Sequence, residues 1–336
     1  MKKIIIILSL ILLPNKFFSQ VKEYYLLVNQ AEFFISQNKI EQASVKYQEA
    51  FKFKVDYKIV DVVNSLKCSC LLNDSLPSNL INVLEQKNVN NNLIKKDKVL
   101  KKCFRVKKID LDNTKAIIDK NYVKLIENIV KKDQAIRHKA NAYVKYRNEM
   151  DSIDNENFNE FIGLIDKFGF PSESKVGLHD NIGGKLEWEI LTRHLFQHAS
   201  KKNSSLKPET YTKMRMILDK ALKNNDITPM KFVYFLELEK NNVYYENWVL
   251  SKLVNDEWGI PQSIIGKMEE IDVIRKQIGL CSLREHIKKT YFENNKKLNP
   301  NHFFFKSDEP YMYTLNFPSE IKKLFKSSSL IINENF

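Results

Sequence analysis

The stretch AEFFISQNKIEQASVKYQEA, residues 31–50, decides the fold class of this chain. Small and large side chains alternate in it at helical spacing: Ala31, Phe34, Asn38, Ile40, Ala43, Tyr47 and Ala50. Two antiparallel helices can approach each other closely where small residues face one another. The stretch therefore predicts a helical hairpin with its turn near Gln37 and Asn38.

This hairpin resembles a tetratricopeptide repeat, although Gln37 and Asn38 stand where that repeat usually has a Gly at the turn. A degenerate second copy follows, with Ile59, Val62, Val63, Leu66 and Cys70 on one helix and Leu80, Ile81 and Leu84 on its partner. Two repeats are fewer than a stable solenoid needs. A generic pair of helical hairpins is therefore the alternative.

Helical periods continue along most of the chain, and the predicted class is all-α, with tetratricopeptide-like helical hairpins followed by a separate α-helical domain. The predicted division is a signal peptide at 1–20, hairpins at 21–87, a linker at 88–112, a helical domain at 113–298 and an irregular aromatic tail at 299–336. Asn and Lys residues interrupt the apolar period in the linker. The tail is expected to lie across the domain as a strap or to add a short strand near Met312–Phe317.

In the second domain, individual residues predict where helices begin and end. A long helix is predicted over roughly Asn113–Glu149, and Gly169 can take the left-handed conformation that ends the following helix. Ser282 with Glu285 three residues later predicts a capping box at the start of the last clear helix.

The N-terminus has a positive start at Met1–Lys3 and an apolar run at Ile4–Leu13. A membrane-spanning helix needs about 20 apolar residues, so the run predicts a cleavable secretory signal and an exported protein, periplasmic or secreted. No membrane span is expected after cleavage.

Cleavage lowers the net charge of the chain from +13 to +10, and only seven basic residues are Arg. Diffuse lysines indicate solvated helix faces, so no nucleic-acid partner is expected.

Four cysteines must be interpreted in an oxidising compartment. Cys68 and Cys70 are two apart on a helix and point to different faces, so they are not expected to bridge each other. Cys103 could pair with one of them, and Cys281 is distant in sequence. Small buried thiols are the more common state of such residues, and the sequence leaves the pairing open.

Part of the chain resembles an uncharacterised bacterial family, domain of unknown function 6624, over about residues 130–290. The matching residues are Asp133, Gln134, Arg137, Asp151, Ile153, Asp154, Gly169, Phe170, Pro171, Gln197, His198, Ala199, Ile274, Arg275, Ile278, Gly279 and Leu280. The resemblance implies a helical fold and a candidate pocket, and it implies no activity.

Standard catalytic motifs are missing from the sequence, since it has no GxGxxG, no GxxxxGK[ST] and no GxSxG. No cofactor is expected. His194 and His198 are four apart on a predicted helix after His179, but the Glu of an HExxH motif is absent. A buried, hydrogen-bonded His198 beside an exposed His194 is the preferred interpretation over a metal site.

A polar cluster is predicted between two helices, formed by Asp133, Gln134, Arg137, Gln197 and His198. Asp133 and Arg137 are four apart with the acid first, the favourable order for an ion pair. Arg137 would be available to an anionic group, or the cluster would only fix helix packing. Asp154 and Arg275 are weaker candidates for a functional role.

Two functions remain open at this stage. The chain is expected to be a binding or scaffold module whose N-terminal hairpins contact a protein or peptide partner. The alternative is an enzyme of unassigned reaction, possibly hydrolytic, with its polar cluster in the C-terminal helical domain.

Overall fold

A computed structural model describes residues 2–111, 116–139, 141–177, 187–199, 208–237, 251–252, 258–261, 264, 266–305 and 329–332. Its helices are α1 (Lys2–Ser36), α2 (Ile40–Ala50), α3 (Ile59–Leu71), α4 (Ser78–Gln86), α5 (Asn91–Lys96), α6 (Lys98–Lys107), α7 (Lys120–Arg137), α8 (Ala142–Lys145), α9 (Arg147–Phe168), α10 (Glu173–Val176), α11 (Glu187–Ala199), α12 (Pro208–Lys223), α13 (Pro229–Glu237), α14 (Met268–Gln277) and α15 (Leu283–Asn294). Its strands are β1 (Ser251–Lys252), β2 (Trp258–Pro261) and β3 (Ser329–Ile332).

Helices dominate these residues, and the predicted all-α class is confirmed. A small antiparallel sheet of order β1-β2-β3 is added, in which Ser251 pairs with Gly259 and Ile260 pairs with Leu330. Strands of two to four residues are too short to produce a recognisable period of two in the sequence. The strand predicted near residues 312–317 lies outside the described residues.

The chain divides into two compact units with other boundaries than the predicted domains. Unit 1 consists of residues 1–76, 97–103 and 243–336, and unit 2 consists of residues 77–96 and 104–242. The predicted linker at 88–112 contains α5 and α6, and it buries Leu93, Ile94, Leu100, Cys103 and Phe104. Because Leu100, Cys103 and Phe104 follow the i, i+3, i+4 spacing, the lysines around them cover a short amphipathic helix.

Unit 1 begins with the predicted hairpin of α1 and α2, which is confirmed. Ala31, Ala43 and Tyr47 are fully buried between the two helices. Asn38 has a φ of 58°, so it takes the left-handed conformation at the turn where a Gly was missing. Asn adopts this conformation more readily than most residues, which explains why the hairpin closes without Gly.

The third helix, α3, is buried on every side from Ile59 to Ser69. Its polar side chains therefore need internal partners, and the Tyr24 hydroxyl of α1 donates to Asp61 at 2.7 Å. The predicted second hairpin would join α3, which belongs to unit 1, to α4, which belongs to unit 2.

The C-terminal helix α15 packs against α1, although the prediction assigned it to the second domain. Lys289 of α15 is buried and donates to Glu32 and to Asn29, both at 2.6 Å. Asn29 in turn donates to the Gly279 carbonyl at 2.9 Å. These contacts join residues about 250 positions apart in sequence, so no local periodicity could reveal them. The predicted capping box of Ser282 and Glu285 is confirmed at the start of α15.

Unit 2 is built around α7, α9 and α11, which pack against one another. The long helix predicted over 113–149 is instead divided, since α7 ends at Arg137, α8 is a single turn and α9 begins at Arg147. Asn141 has a φ of 56°, which breaks the helical path between α7 and α8. Gly169 ends α9 as predicted and has a positive φ of 78°, but its ψ of 176° lies outside the left-handed helical region.

Candidate functional site

The predicted polar cluster begins on α7, where Asp133 is completely buried. Arg137 lies one turn later, and its Nη1 donates to Asp133 Oδ1 at 2.7 Å. Gln134 Nε2 donates to Asp133 Oδ2 at 2.7 Å. The three α7 residues of the prediction are therefore together, and their carboxylate is the shared acceptor.

A second carboxylate comes from α9. Arg137 Nη2 donates to Asp154 Oδ1 at 2.7 Å, and the Asp154 side chain is buried as well. The guanidinium therefore lies between two carboxylates, and it is not available to an anionic ligand as the sequence analysis had allowed. Its Nε is buried and has no hydrogen-bond partner within the described chain.

The histidine of the cluster is His194 of α11. Its Nδ1 lies 2.8 Å from Asp133 Oδ2, and the residue is 8% exposed. A carboxylate acceptor holds a proton on Nδ1 whether the imidazole is neutral or charged. The expectation of an exposed His194 is therefore wrong. The side chains of Gln197 and His198 lie outside the described part of the chain, and their predicted meeting with α7 stays a prediction.

The sequence around His194 contained a signal that this histidine is buried. It lies three residues after Leu191 and next to Leu195, and both leucines are fully buried. One further buried polar residue was missed: Asn157 of α9 is completely buried one turn after Asp154, and its side-chain amide has no partner among the described residues. An Asn within an amphipathic helix gives no sign of its burial before the packing partner is known.

Arg275, the other weaker candidate, belongs to α14 in unit 1. Its side chain is completely buried, and Nε donates to the Cys281 carbonyl at 2.9 Å. This bond closes the turn between α14 and α15, so Arg275 stabilises the local backbone.

Of the residues that the structure describes, no three His, Cys, Asp or Glu side chains are arranged to hold a metal ion. His179 and the His198 side chain lie outside that set.

The more informative site lies on α3. Residues 299–305, named the strap from here on, lie against this helix, as one of the two expectations for the tail proposed. Asn299 forms the start of the strap by accepting from the Phe303 N–H at 2.8 Å and donating to the Phe303 carbonyl at 2.9 Å. These paired bonds fix a turn that contains His302, where φ is 51°.

Asn64 of α3 binds the main chain of Phe304 with both ends of its side-chain amide. Asn64 Oδ1 accepts from the Phe304 N–H at 3.2 Å, and Asn64 Nδ2 donates to the Phe304 carbonyl. One residue further along, Glu293 Oε1 of α15 accepts from the Phe305 N–H at 2.8 Å. The protein therefore binds the strap through its peptide groups.

Lys67, one turn after Asn64, is fully buried and provides the positive charge of the site. Its Nζ donates to the His302 carbonyl at 2.6 Å and lies 2.5 Å from Asp97 Oδ2. The ammonium also lies 4.7 Å from the Phe304 ring centroid, within cation–π range. Burial lowers the pKa of Lys67, and the Asp97 carboxylate opposes that shift.

Two aromatic side chains anchor the strap. Phe303 is 2% exposed and Phe305 is 5% exposed, and both pack into the core that α1 and α2 form. The Phe305 ring stacks on Phe292 of α15 with centroids 5.6 Å apart. Phe303 and Phe305 are buried and the Phe304 between them is less so, which places one side of the strap against the protein.

A short segment at the start of α6 holds the opposite side of Lys67. Asp97 accepts from the Val99 and Leu100 N–H groups at 3.0 Å, so it caps α6 while pairing with Lys67. A disulfide joins Cys70 of α3 to Cys103 of α6, which resolves the pairing that the sequence left open. Cys68 and Cys281 are buried free thiols, and burial raises the pKa of Cys68 to about 12.

Comparison with known proteins gives no significant match to a family model, to a curated protein or to a solved structure. Within the described ranges, no helix combines the length and the apolarity that crossing a bilayer requires.

Proposed function

We propose that this chain is an exported peptide-binding module, and that its α1–α3 region binds an extended segment with aromatic side chains at alternate positions. The observation that carries the proposal is the pair of hydrogen bonds between the Asn64 side chain and the Phe304 main chain. The strap is then an occupant of the binding groove supplied by the same chain.

The chemistry of the contacts supports peptide binding. Asn64, Lys67 and Glu293 all bind main-chain atoms of the strap. Such bonds accept segments of varied sequence, because every residue except proline offers the same N–H and C=O groups. The pockets that hold the Phe303 and Phe305 rings then provide the selectivity for particular peptides. This division between main-chain affinity and side-chain selectivity is common in peptide recognition.

Two features support export to the periplasm or beyond. Disulfides persist in oxidising compartments, and Cys70 is joined to Cys103. The first buried side chain of α1 that the structure describes is Val21, so cleavage near residue 20 removes none of the described core. Mass spectrometry of the protein exported by a host cell tests this, and an N-terminus that still carries Met1 would contradict it.

The binding test opens the strap without removing it. A protease recognition sequence inserted between Lys296 and Lys297, both exposed, allows the folded full chain to be cut just before the strap. A fluorescent peptide of residues 298–308 is then added in excess. We expect saturable binding by the cut protein and much weaker binding by the uncut protein, whose groove is filled.

The control is the same peptide with Phe303→Ala and Phe305→Ala, which keeps every peptide group and loses both anchors. It should bind much more weakly. Equal binding of the two peptides, or no binding of either to a cut protein that keeps its helical circular dichroism, would contradict the proposed function.

A hydrolytic reaction in unit 2 is a second candidate, favoured by the Asp133–His194 contact. A carboxylate that orients an imidazole is the arrangement of many general bases. A screen of ester, amide and phosphate substrates tests it. Turnover that survives in a folded His194→Gln variant would exclude this histidine as the base. The resemblance of residues 130–290 to an uncharacterised family stays a prediction.

A further inference from the structure

Two bonds join α3 to the start of α6, and they are named the clasp. The first is the ion pair of Lys67 with Asp97, and the second is the disulfide of Cys70 with Cys103. Lys67 and Cys70 are three residues apart on α3, so they share one face of that helix. The residues at 97–103 are therefore held to α3 at both ends.

The clasp and the strap meet at one atom. Lys67 Nζ lies 2.5 Å from Asp97 Oδ2 and donates to the carbonyls of His302 at 2.6 Å and of Asn301 at 3.3 Å. The Lys67 side chain has no exposure to solvent, so its charge depends on Asp97 as counter-ion. Removing one partner of a buried ion pair leaves an uncompensated charge, which the folded state tolerates poorly.

We propose that the Cys70–Cys103 disulfide is a redox switch of the peptide groove, which acts through Lys67 and Asp97 to hold or release the strap. The proposal rests on the proposed function, since the strap is taken to occupy a groove for peptides. With the disulfide closed, Asp97 stays beside Lys67 and the strap stays bound. With the disulfide open, the α6 start moves away, Lys67 becomes hydrated, and its bonds to the strap carbonyls are lost.

The chemistry is thiol–disulfide exchange with a dithiol reductant. One thiolate of the reductant attacks a sulfur of the disulfide, so the S–S bond breaks and a mixed disulfide forms. The second thiol of the reductant then attacks the mixed disulfide. The reductant leaves as a disulfide, and Cys70 and Cys103 leave as thiols with two electrons and two protons gained.

The positions of the four cysteines favour this particular bond as the reactive one. Cys70 is only partly buried, whereas its partner Cys103 is buried, so Cys70 is the more accessible half of the bond. Cys68 is completely buried, and burial raises its pKa to about 12, which keeps it a thiol at neutral pH. A thiol in that state does not compete in exchange.

The experiment measures binding of the fluorescent peptide of residues 298–308 to the uncut full chain by anisotropy. The chain is used oxidised, reduced with dithiothreitol, and as the variants Cys103→Ser and Asp97→Asn. We expect the reduced chain and Cys103→Ser to bind at least about fivefold more tightly than the oxidised chain, a typical size for coupling between two sites. Asp97→Asn should bind more tightly with its disulfide intact, and Cys281→Ser should behave as the unchanged chain.

The protein cut between Lys296 and Lys297 separates the two proposals. If the cut protein does not bind the peptide, the proposed function fails. If the cut protein binds it and the reduced uncut chain binds no more tightly than the oxidised one, the redox switch fails. If reduction abolishes the helical circular dichroism, the oxidised Asp97→Asn variant provides the test instead. Peptide binding by that variant equal to binding by the oxidised unchanged chain would overturn the coupling through Lys67.

Discussion

Asn64 and Phe304 are 240 positions apart in sequence and form a closed pair of hydrogen bonds, in which one side-chain amide satisfies the N–H and the C=O of one residue. The strap is therefore held at its centre by a single side chain.

Replacing Asn64 should weaken the fold measurably. Asn64→Ala leaves both main-chain groups of Phe304 without partners, and we expect the free energy of unfolding to fall by about 1–3 kcal/mol. Urea unfolding followed by circular dichroism measures the loss. Gln30→Ala, an exposed change on α1, is the matched control and should alter stability by less than about 0.5 kcal/mol. Equal effects of the two changes would show that the paired bonds contribute nothing.

In the α7 cluster, loss of Arg137 should cost more than loss of His194. Arg137→Gln leaves Asp133 and Asp154 buried without their shared cation, and we expect a loss of about 3–5 kcal/mol. His194→Gln removes one hydrogen bond and should cost about 1–3 kcal/mol. Arg147→Gln on exposed α9 surface is the control. A larger loss from His194→Gln than from Arg137→Gln would refute this order.

The ion pair between α1 and α15 is a third target. Burial alone would lower the pKa of Lys289, but the negative charges of Cys281 and Glu32 outweigh burial and raise it. The ammonium therefore stays charged and needs Glu32. Lys289→Met should cost about 3–5 kcal/mol, and adding Glu32→Leu should recover part of that loss. Purely additive losses in the double-mutant cycle would mean that the two side chains do not interact.

Stability should fall above about pH 10, where free tyrosine ionises. Burial raises the pKa of Tyr24 well above its ordinary value, and the nearby Asp61 charge raises it further. The folded chain then keeps a proton that the unfolded chain loses, so rising pH favours unfolding. The pKa of Tyr47 is raised in the same direction. Tyr24→Phe should flatten the decrease measured by urea titration across this range, and an unchanged slope would exclude Tyr24 as a contributor.

Reduction should also lower the thermal stability of the whole chain. The disulfide closes a loop with a sequence separation of 33, for which loop-closure entropy predicts a loss of about 3–4 kcal/mol. Differential scanning calorimetry with and without dithiothreitol measures the shift in melting temperature. Cys70→Ser should reproduce the shift without reductant. A reductant effect that persists in Cys70→Ser would trace to something other than this bond.

Local features of the fold were predictable, and distant ones were not. The α1–α2 hairpin, the end of α9 at Gly169 and the Ser282 capping box each depend on residues within a few turns of one another. The packing of α15 on α1 depends on Lys289 and Glu32, which share no periodic pattern. The sequence therefore indicated the helices but not which helices meet.

In the α7 cluster, too, the contact within one helix was predictable and the contact between helices was not. Asp133 and Arg137 are four apart, so their pairing follows from helical geometry. His194 and His198 lie on one face of α11, a single turn apart, and periodicity cannot choose between them. The contact of His194 with Asp133 depends on the point along α11 at which α7 packs against it.

Unit 1 takes residues from both ends of the chain, and this has a consequence for the order of folding. Synthesis proceeds from the N-terminus, so α1–α3 must wait for the last third of the polypeptide before Phe303 and Phe305 can enter their pockets. Contacts of such high sequence separation form late and slowly. Cys70 and Cys103 are close in sequence by comparison, so their bond can form first and bring Asp97 to Lys67 while the rest of the chain is still emerging. Until residues 303–305 are made, the core formed by α1 and α2 therefore lacks the rings of Phe303 and Phe305.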